Sequence, residues 1–221
     1  MARRIEPLPS WDEIVSLAAE HGITHVGVAP ATVLTRAHAA LVERKAAGLH
    51  AGMGFTYRNP ERSTEPERAV FGARSIIVGA RPYRATDEPP RPPGVQARVA
   101  RYAWVDHYEP LRLGLRAIAH RLRRADERAV AFADDNSIVD REVAALAGLG
   151  WFGKNANILL PGAGSFFVLG SIITTADYPA NEPVPDGCGS CRRCLDGCPT
   201  GAIIAPGVVE SLKVVTEVAS L

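Results

Sequence analysis

The chain has 221 residues, is 47% apolar and carries a formal net charge of +1. That is enough apolar material for a real core, and too little net charge to declare a nucleic-acid or acidic partner. Roughly 20 consecutive apolar residues are needed to cross a bilayer, and Arg3-Arg4 leads into Ile5-Glu6-Pro7 rather than a secretory apolar run. The expectation is therefore a cytoplasmic protein with no membrane partner.

Helical and strand patterns alternate along the first segment, which favours an α/β layer architecture over a helical bundle. Ser10 and Glu13 form a capping box, Trp11, Ile14, Leu17 and Ala18 make a helical stripe, and Gly22 ends it. A short strand is expected over 24–28, a helix over about 34–47 and a buried strand over 74–80. Pro89, Pro90, Pro92 and Pro93 predict an extended surface linker. Leu111, Leu115, Ile118 and Leu122 then recur at helical spacing, with Arg112, Arg116, Arg121, Arg123 and Arg124 largely on other faces. Those arginines read either as a solvated face or as a phosphate-contacting surface.

A strand over 129–133 delivers Asp134-Asp135-Asn136 into a turn, and Ser137 with Asp140 reads as a capping box opening a helix that closes at Gly148. Asp134 is placed at the carboxyl end of a strand, where open α/β sheets bind ligands; as a plainer alternative, both aspartates are turn residues. Gly148-Leu-Gly-Trp-Phe-Gly-Lys-Asn155 lacks the spacing of a Walker loop. Gly162-Ala-Gly-Ser-Phe-Phe-Val-Leu-Gly170 reads as a central strand. Its glycines suggest either backbone pressed against a large flat ligand or an ordinary tight hairpin.

All four cysteines fall in Cys188-Gly-Ser-Cys191-Arg-Arg-Cys194-Leu-Asp-Gly-Cys198-Pro199. C-x2-C-x2-C-x3-C-P is the spacing of bacterial iron–sulfur ferredoxins, whose soft thiolates suit tetrahedral iron. Disulfides would need an oxidising compartment, and structural zinc sites usually show two separated pairs. Cys188, Cys191, Cys194 and Cys198 are thus expected to ligate a 4Fe-4S cluster. In two-cluster ferredoxins the fourth cysteine serves the other cluster, and this chain has no fifth cysteine to complete the first.

Three segments together resemble the epoxyqueuosine reductases, cobalamin-dependent iron–sulfur enzymes of tRNA modification. They are Ala100-Arg-Tyr-Ala-Trp104; Asp134 through Gly148-Leu-Gly-Trp-Phe-Gly-Lys-Asn155 with Gly164-Ser-Phe-Phe-Val-Leu-Gly170; and Cys188 through Cys198-Pro-Thr-Gly-Ala-Ile203. The resemblance implies an α/β (α+β) nitroreductase-like cobalamin-binding domain over 1–178, followed by a partial ferredoxin-like iron–sulfur segment over 179–221. It implies that an external donor such as ferredoxin or flavodoxin feeds electrons through the cluster to cobalt, which removes the epoxide oxygen of epoxyqueuosine in tRNA. Asp134 matches the proposed proton donor and Arg141 an arginine beside it, with His107 and Tyr108 as further catalytic candidates. Arg58, Arg101, Tyr102, Asp134, Asn155, Ile158 and Leu169 are carried over as cobalamin contacts.

Two departures stand beside these matches. The family reads Gly, a further residue, then Asp-Tyr-His after the tryptophan, whereas Val105-Asp106-His107-Tyr108 is one residue short with the aromatic order exchanged. Beyond 205–209 the family continues into another cysteine, a second cluster motif and a helical-repeat tRNA-binding region, where this sequence has Glu210 to Leu221, at most a modest amphipathic helix or strand. The expectation is a truncated or divergent member. The alternatives are a non-catalytic electron-transfer or cobalamin-binding protein and a reductive dehalogenase-like enzyme acting on a small molecule.

Overall fold

The structure is a computed structural model and describes residues 5–84 and 100–218. In chain order, α1 (Trp11–Glu20), β1 (His25–Pro30) and α2 (Thr35–Ala46) are followed by the short helices α3 (Pro60–Thr64) and α4 (Pro66–Ala69). Then come β2 (Ser75–Pro82), α5 (Tyr108–Arg124), β3 (Ala129–Ala133) and α6 (Asp140–Leu146). The small hairpin of β4 (Trp151–Phe152) and β5 (Ile158–Leu159) precedes β6 (Phe167–Thr174). The last elements are α7 (Arg193–Asp196), β7 (Ile203–Ala205), β8 (Val208–Val209) and α8 (Ser211–Val218). The proline-rich segment around Pro89, Pro90, Pro92 and Pro93 lies outside the described residues.

The mixed α/β class expected from the sequence holds, but the sheet is not the open parallel kind whose ligand rule was applied to Asp134. Its order is β1-β2-β6-β3 and every neighbouring pair is antiparallel. The segment over 162–170 was expected to be a central strand; only its second half is, for residues 162–165 turn and the central strand β6, hydrogen-bonded on both edges, begins at Phe167 and runs on to Thr174. Because β6 runs against both its neighbours, the carboxyl ends of β2 and β3 meet the start of β6 at one end of the sheet, where Pro82 pairs with Phe167 and Ala133 with Gly170.

Both faces of the sheet are covered, so its inner strands are apolar on both sides rather than alternating with polar residues. Ile77, Val168 and Ile172 face α1 and α5, packing with Ile14, Leu111, Leu115, Ile118 and Leu122. Ile76, Val78, Ala80 and Ile173 face α2, α6 and the hairpin, packing with Leu34, Val143 and Ile158. Gly170 lets α5 lie close: a Cβ there would stand 2.6 Å from the Leu115 side chain and 2.9 Å from the Phe132 carbonyl.

Helix starts explain where the chain turns. The Ser10 hydroxyl accepts from Glu13 N–H at 3.2 Å, so Ser10 caps α1 as expected, while the Glu13 carboxylate accepts from Arg121. The capping box expected at Ser137 does not form. Val139, not Ser137, is the N-cap of α6 and has no side-chain cap bond. The Ser137 hydroxyl instead accepts from Arg62 at 3.0 Å, leaving Asp140 in the first turn with no capping role. Asp106 caps α5, its Oδ1 accepting from Tyr108 N–H at 2.9 Å and Glu109 N–H at 3.0 Å. Of the α5 arginines, Arg112 pairs with Asp106 and Glu109, Arg121 with Glu6 and Glu13, and Arg124 with Glu6. Arg123 donates to the Ala129 carbonyl. Three of the five α5 arginines are thus paired with carboxylates.

A candidate active-site cleft at one end of the sheet

A cleft of about 1060 Å³ opens where β2 and β3 end and β6 begins. Its walls come from distant parts of the chain: α2 supplies Arg36 and Arg44, the 3-10 turn at Phe55–Tyr57 its three residues, and α5 its first residue, Tyr108. The turn after β3 supplies Asp134 and Asp135, α6 supplies Asp140, Arg141 and Glu142, and the hairpin supplies Phe152, Lys154 and Ile158. Phe167 and Leu169 of β6 complete the floor. The result is an apolar base with a polar, two-signed rim.

Three acidic groups in this wall differ sharply in setting. Asp134 is exposed and sits at φ +56°, a left-handed backbone conformation uncommon for any residue but glycine. Such strain concentrates at functional turns. Asp135 is a turn residue, its Oδ1 accepting from Ser137 N–H at 2.7 Å. Asp140 is half-buried overall, yet its Oδ1 is sealed from solvent and has no hydrogen-bond partner. Burial pushes the Asp140 carboxyl up to about 8; Arg141 opposes this while Asp134 and Asp135 add to it. Burial, reinforced by Asp134 and Asp140, likewise holds the Tyr108 phenol up at about 12, keeping it a hydrogen-bond donor. Glu142 is 4% exposed and is held by Arg36, whose Nε donates to Oε1 at 3.1 Å and whose Nη2 donates to Oε2. The Arg36 guanidinium also lies 4.0 Å over the Phe152 ring.

Known proteins resemble this chain in sequence. An epoxyqueuosine reductase of Gloeobacter violaceus is 37% identical over 93% of this chain and 64% of its own length. A second, from Lactococcus garvieae, is 35% identical over 91% of this chain and 58% of its own length. A family model described as "Epoxyqueuosine reductase QueG, DUF1730" matches residues 63–135. In sequence the chain is similar to the epoxyqueuosine reductases. It spans about three-fifths of the length of these curated relatives.

Solved structures agree. The epoxyqueuosine reductase of Streptococcus thermophilus superposes with a TM-score of 0.82 at 28% identity, over 90% of this chain and 55% of that one. An epoxyqueuosine reductase crystallised with an epoxyqueuosine-modified tRNA-Tyr stem loop gives 0.83 at 29% identity, over 91% and 55%. A catabolic reductive dehalogenase gives 0.53 at 16% identity, over 89% and 26%, a likeness of fold alone.

The residues singled out from the sequence divide around this cleft. Asp134, Arg141, Tyr108, Tyr102, Ile158 and Leu169 line it; Arg141 is steadied by a 3.0 Å bond to the Ala156 carbonyl. Arg58, Arg101, His107 and Asn155 are not among the lining residues. Arg101 stacks on Trp104 and Phe166, with its guanidinium 5.5 and 6.0 Å from the ring centroids. The Asn155 Oδ1 accepts from Asn157 N–H at 3.2 Å inside the hairpin turn. His107 packs on Tyr83 and its Nδ1 lies 3.3 Å from Arg81 Nη1. Burial and then Arg81 lower its pKa, with Asp106 pulling the other way, so His107 is neutral at neutral pH. The exchanged aromatic order therefore turns Tyr108, not His107, to the cleft. Asp140, Arg36, Arg44, Glu142, Phe152 and Lys154 were missed: most carry no local motif, and the capping-box reading assigned Asp140 to a helix start.

The cysteines lie in one segment beside the hairpin and are free thiols. Lys154 ties the segment to the cleft wall, its Nζ donating to the carbonyls of Gly189 at 2.7 Å and Cys191 at 3.0 Å. The Gly207 N–H donates to the Lys154 carbonyl at 2.9 Å, and Arg44 donates to the Gly207 carbonyl at 2.9 Å. The Ile203 N–H directed at its sulfur lowers the Cys198 pKa despite some opposing desolvation, with help from Thr200 and Ala202, favouring the thiolate a metal needs. The donor chemistry thus suits iron, but among the described residues no three His, Cys, Asp or Glu side chains converge as metal ligands. Also among the described residues, no helix is long and apolar enough to cross a membrane.

Proposed function

We propose that this chain reduces epoxyqueuosine to queuosine in tRNA, with a cobalamin in the cleft and electrons delivered from the side of the cysteine segment. The observation that carries this reading is the cleft itself. At about 1060 Å³ it lies at the upper end of the roughly 300–1,000 Å³ typical of small-molecule sites, room for a ligand as large as a corrin, and its acids stand at one rim. Ile158, Leu169, Phe152 and Phe167 offer an apolar floor for a macrocycle, while Tyr102, Arg44 and Arg141 offer donors to peripheral amides. Arg58, Arg101 and Asn155, carried over from the resemblance, would act from outside this lining. The chemistry a bound corrin supplies is reduction at the epoxide carbon.

The chain's own residues then have definite tasks. Asp134, exposed at the rim, donates a proton to the oxygen released from the epoxide. Tyr108, a phenol that stays protonated, orients that oxygen by donating a hydrogen bond. The Arg36–Glu142 pair holds α2 against α6 and so fixes the width of the cleft. Cys188, Cys191, Cys194 and Cys198 would hold a 4Fe-4S cluster whose binding gathers the sulfurs, as metal binding commonly drives local ordering. The tRNA is the macromolecular partner by analogy with the stem-loop complex of the relative, the external donor a ferredoxin or flavodoxin, and the compartment the cytoplasm. After anaerobic reconstitution, cobalamin is expected to co-elute with the chain, iron and sulfide to bind, and an epoxyqueuosine-bearing stem loop to yield queuosine nucleoside by mass spectrometry. Failure of corrin to co-elute would overturn the reading.

A further inference from the structure

Removal of an epoxide oxygen to leave an alkene consumes two electrons and two protons, and the oxygen departs as water. The first proton converts the alkoxide formed on breaking one C–O bond into a hydroxyl. The second lets that hydroxyl leave as water when the other C–O bond breaks and the alkene forms. The electrons come from the external one-electron carrier; one carboxylic acid supplies only one of the protons. The cleft wall carries a second carboxyl in a wholly different setting from Asp134.

We propose that Asp140 is the cleft's second proton source, a carboxylic acid kept in reserve behind the exposed Asp134. The inference rests on the reductase reading above. Its basis is geometric: Asp140 lines the cleft, yet its Oδ1 is sealed from water with no donor to stabilise a charge. A buried carboxyl without a partner keeps its proton, and burial pushes this one up to about 8. From its own helix Arg141 opposes that shift, but Arg141 is also bonded to the Ala156 carbonyl. From the preceding turn the negative charges of Asp134 and Asp135 add to it. From α5 the facing group is the neutral Tyr108 phenol. The cations across the cleft are engaged: Arg36 with Glu142, Arg44 with the Gly207 carbonyl, Lys154 with the carbonyls of Gly189 and Cys191.

Two measurements on the whole chain test this. Infrared difference spectra taken from pH 5 to pH 10 should show a protonated-carboxyl C=O band at neutral pH that disappears near pH 8. It should be present in the parent chain and in Asp134→Asn, and absent from Asp140→Asn. A band that persists in Asp140→Asn, or that is gone by pH 6 in the parent, overturns the assignment whatever the activity. In single-turnover reduction of the stem loop, Asp140→Asn should slow the reaction about 100-fold, the low end for loss of a general acid, and abolish the parent's decline above pH 8. A parent that turns over alongside an equally fast Asp140→Asn with the same pH profile overturns the proton-source role. A parent that keeps the band but never turns over supports the assignment of Asp140 as the protonated group and refutes the reductase function instead.

Discussion

Replacing Arg36 by methionine strips the cation from a carboxylate that is nearly out of solvent. The Arg36 side chain is 59% exposed and that of Glu142 only 5%. Removing one partner of a fully buried pair costs about 3–5 kcal/mol, mostly because the other charge is left uncompensated. Water can reach the arginine side of this pair, which lowers the figure, while loss of the stacking on Phe152 adds about 0.5–1 kcal/mol. The expected loss is therefore about 2–3 kcal/mol. In urea unfolding followed by circular dichroism, with a slope of about 1–3 kcal/mol/M, the midpoint should fall by about 1–2 M. Adding Glu142→Gln to the same chain should recover most of that loss, since the orphaned charge is removed with its partner. A single variant within about 0.5 kcal/mol of the parent, the usual range of surface substitutions, or a double variant as unstable as the single, would refute a buried-charge role for this pair.

Three further outcomes follow from the same structure. Because the Asp140 carboxyl is raised in the folded chain, its contribution to stability is complete below the ordinary carboxyl range and is lost as pH rises through about 8; thermal unfolding should show Asp140→Asn gaining on the parent as pH climbs from 5 to 9. Lys154→Met removes two hydrogen bonds worth about 1 kcal/mol each, so thiol alkylation at Cys188 and Cys191 should quicken by up to about thirtyfold. Gly170→Val would press side-chain carbons on Leu115 and the Phe132 carbonyl, costing about 1–3 kcal/mol in chemical denaturation.

Much of this molecule could be read from local pattern. Ser10 with Glu13 announces α1, the apolar run over 129–133 is β3, and the glycine-bounded aromatic run is the central β6, because these depend only on neighbouring residues. Sheet direction does not. The antiparallel order is set by which helices cover which face, and no residue of β1 or β2 records it. Asp134 does follow β3 and line the cleft, but the sheet is antiparallel, so the parallel-sheet rule that suggested it does not apply. Asp140 was hidden by a motif that fits the sequence but loses to Arg62 for the Ser137 hydroxyl. The far wall of the cleft, from Arg36 to Tyr57, is chemistry assembled by folding, with nothing near those residues in sequence to mark them.

On the cysteine side, the seam between the hairpin and the cysteine segment is made through main-chain groups. Among the described residues, the Lys154 ammonium and the Arg44 guanidinium reach the carbonyls of Gly189, Cys191 and Gly207, and the Gly207 N–H donates to the Lys154 carbonyl. Such a joint reads backbone position rather than residue identity. Sequence between the cysteines is then free to drift, and a foreign cysteine loop of equal length should graft onto this scaffold without rebuilding its cleft.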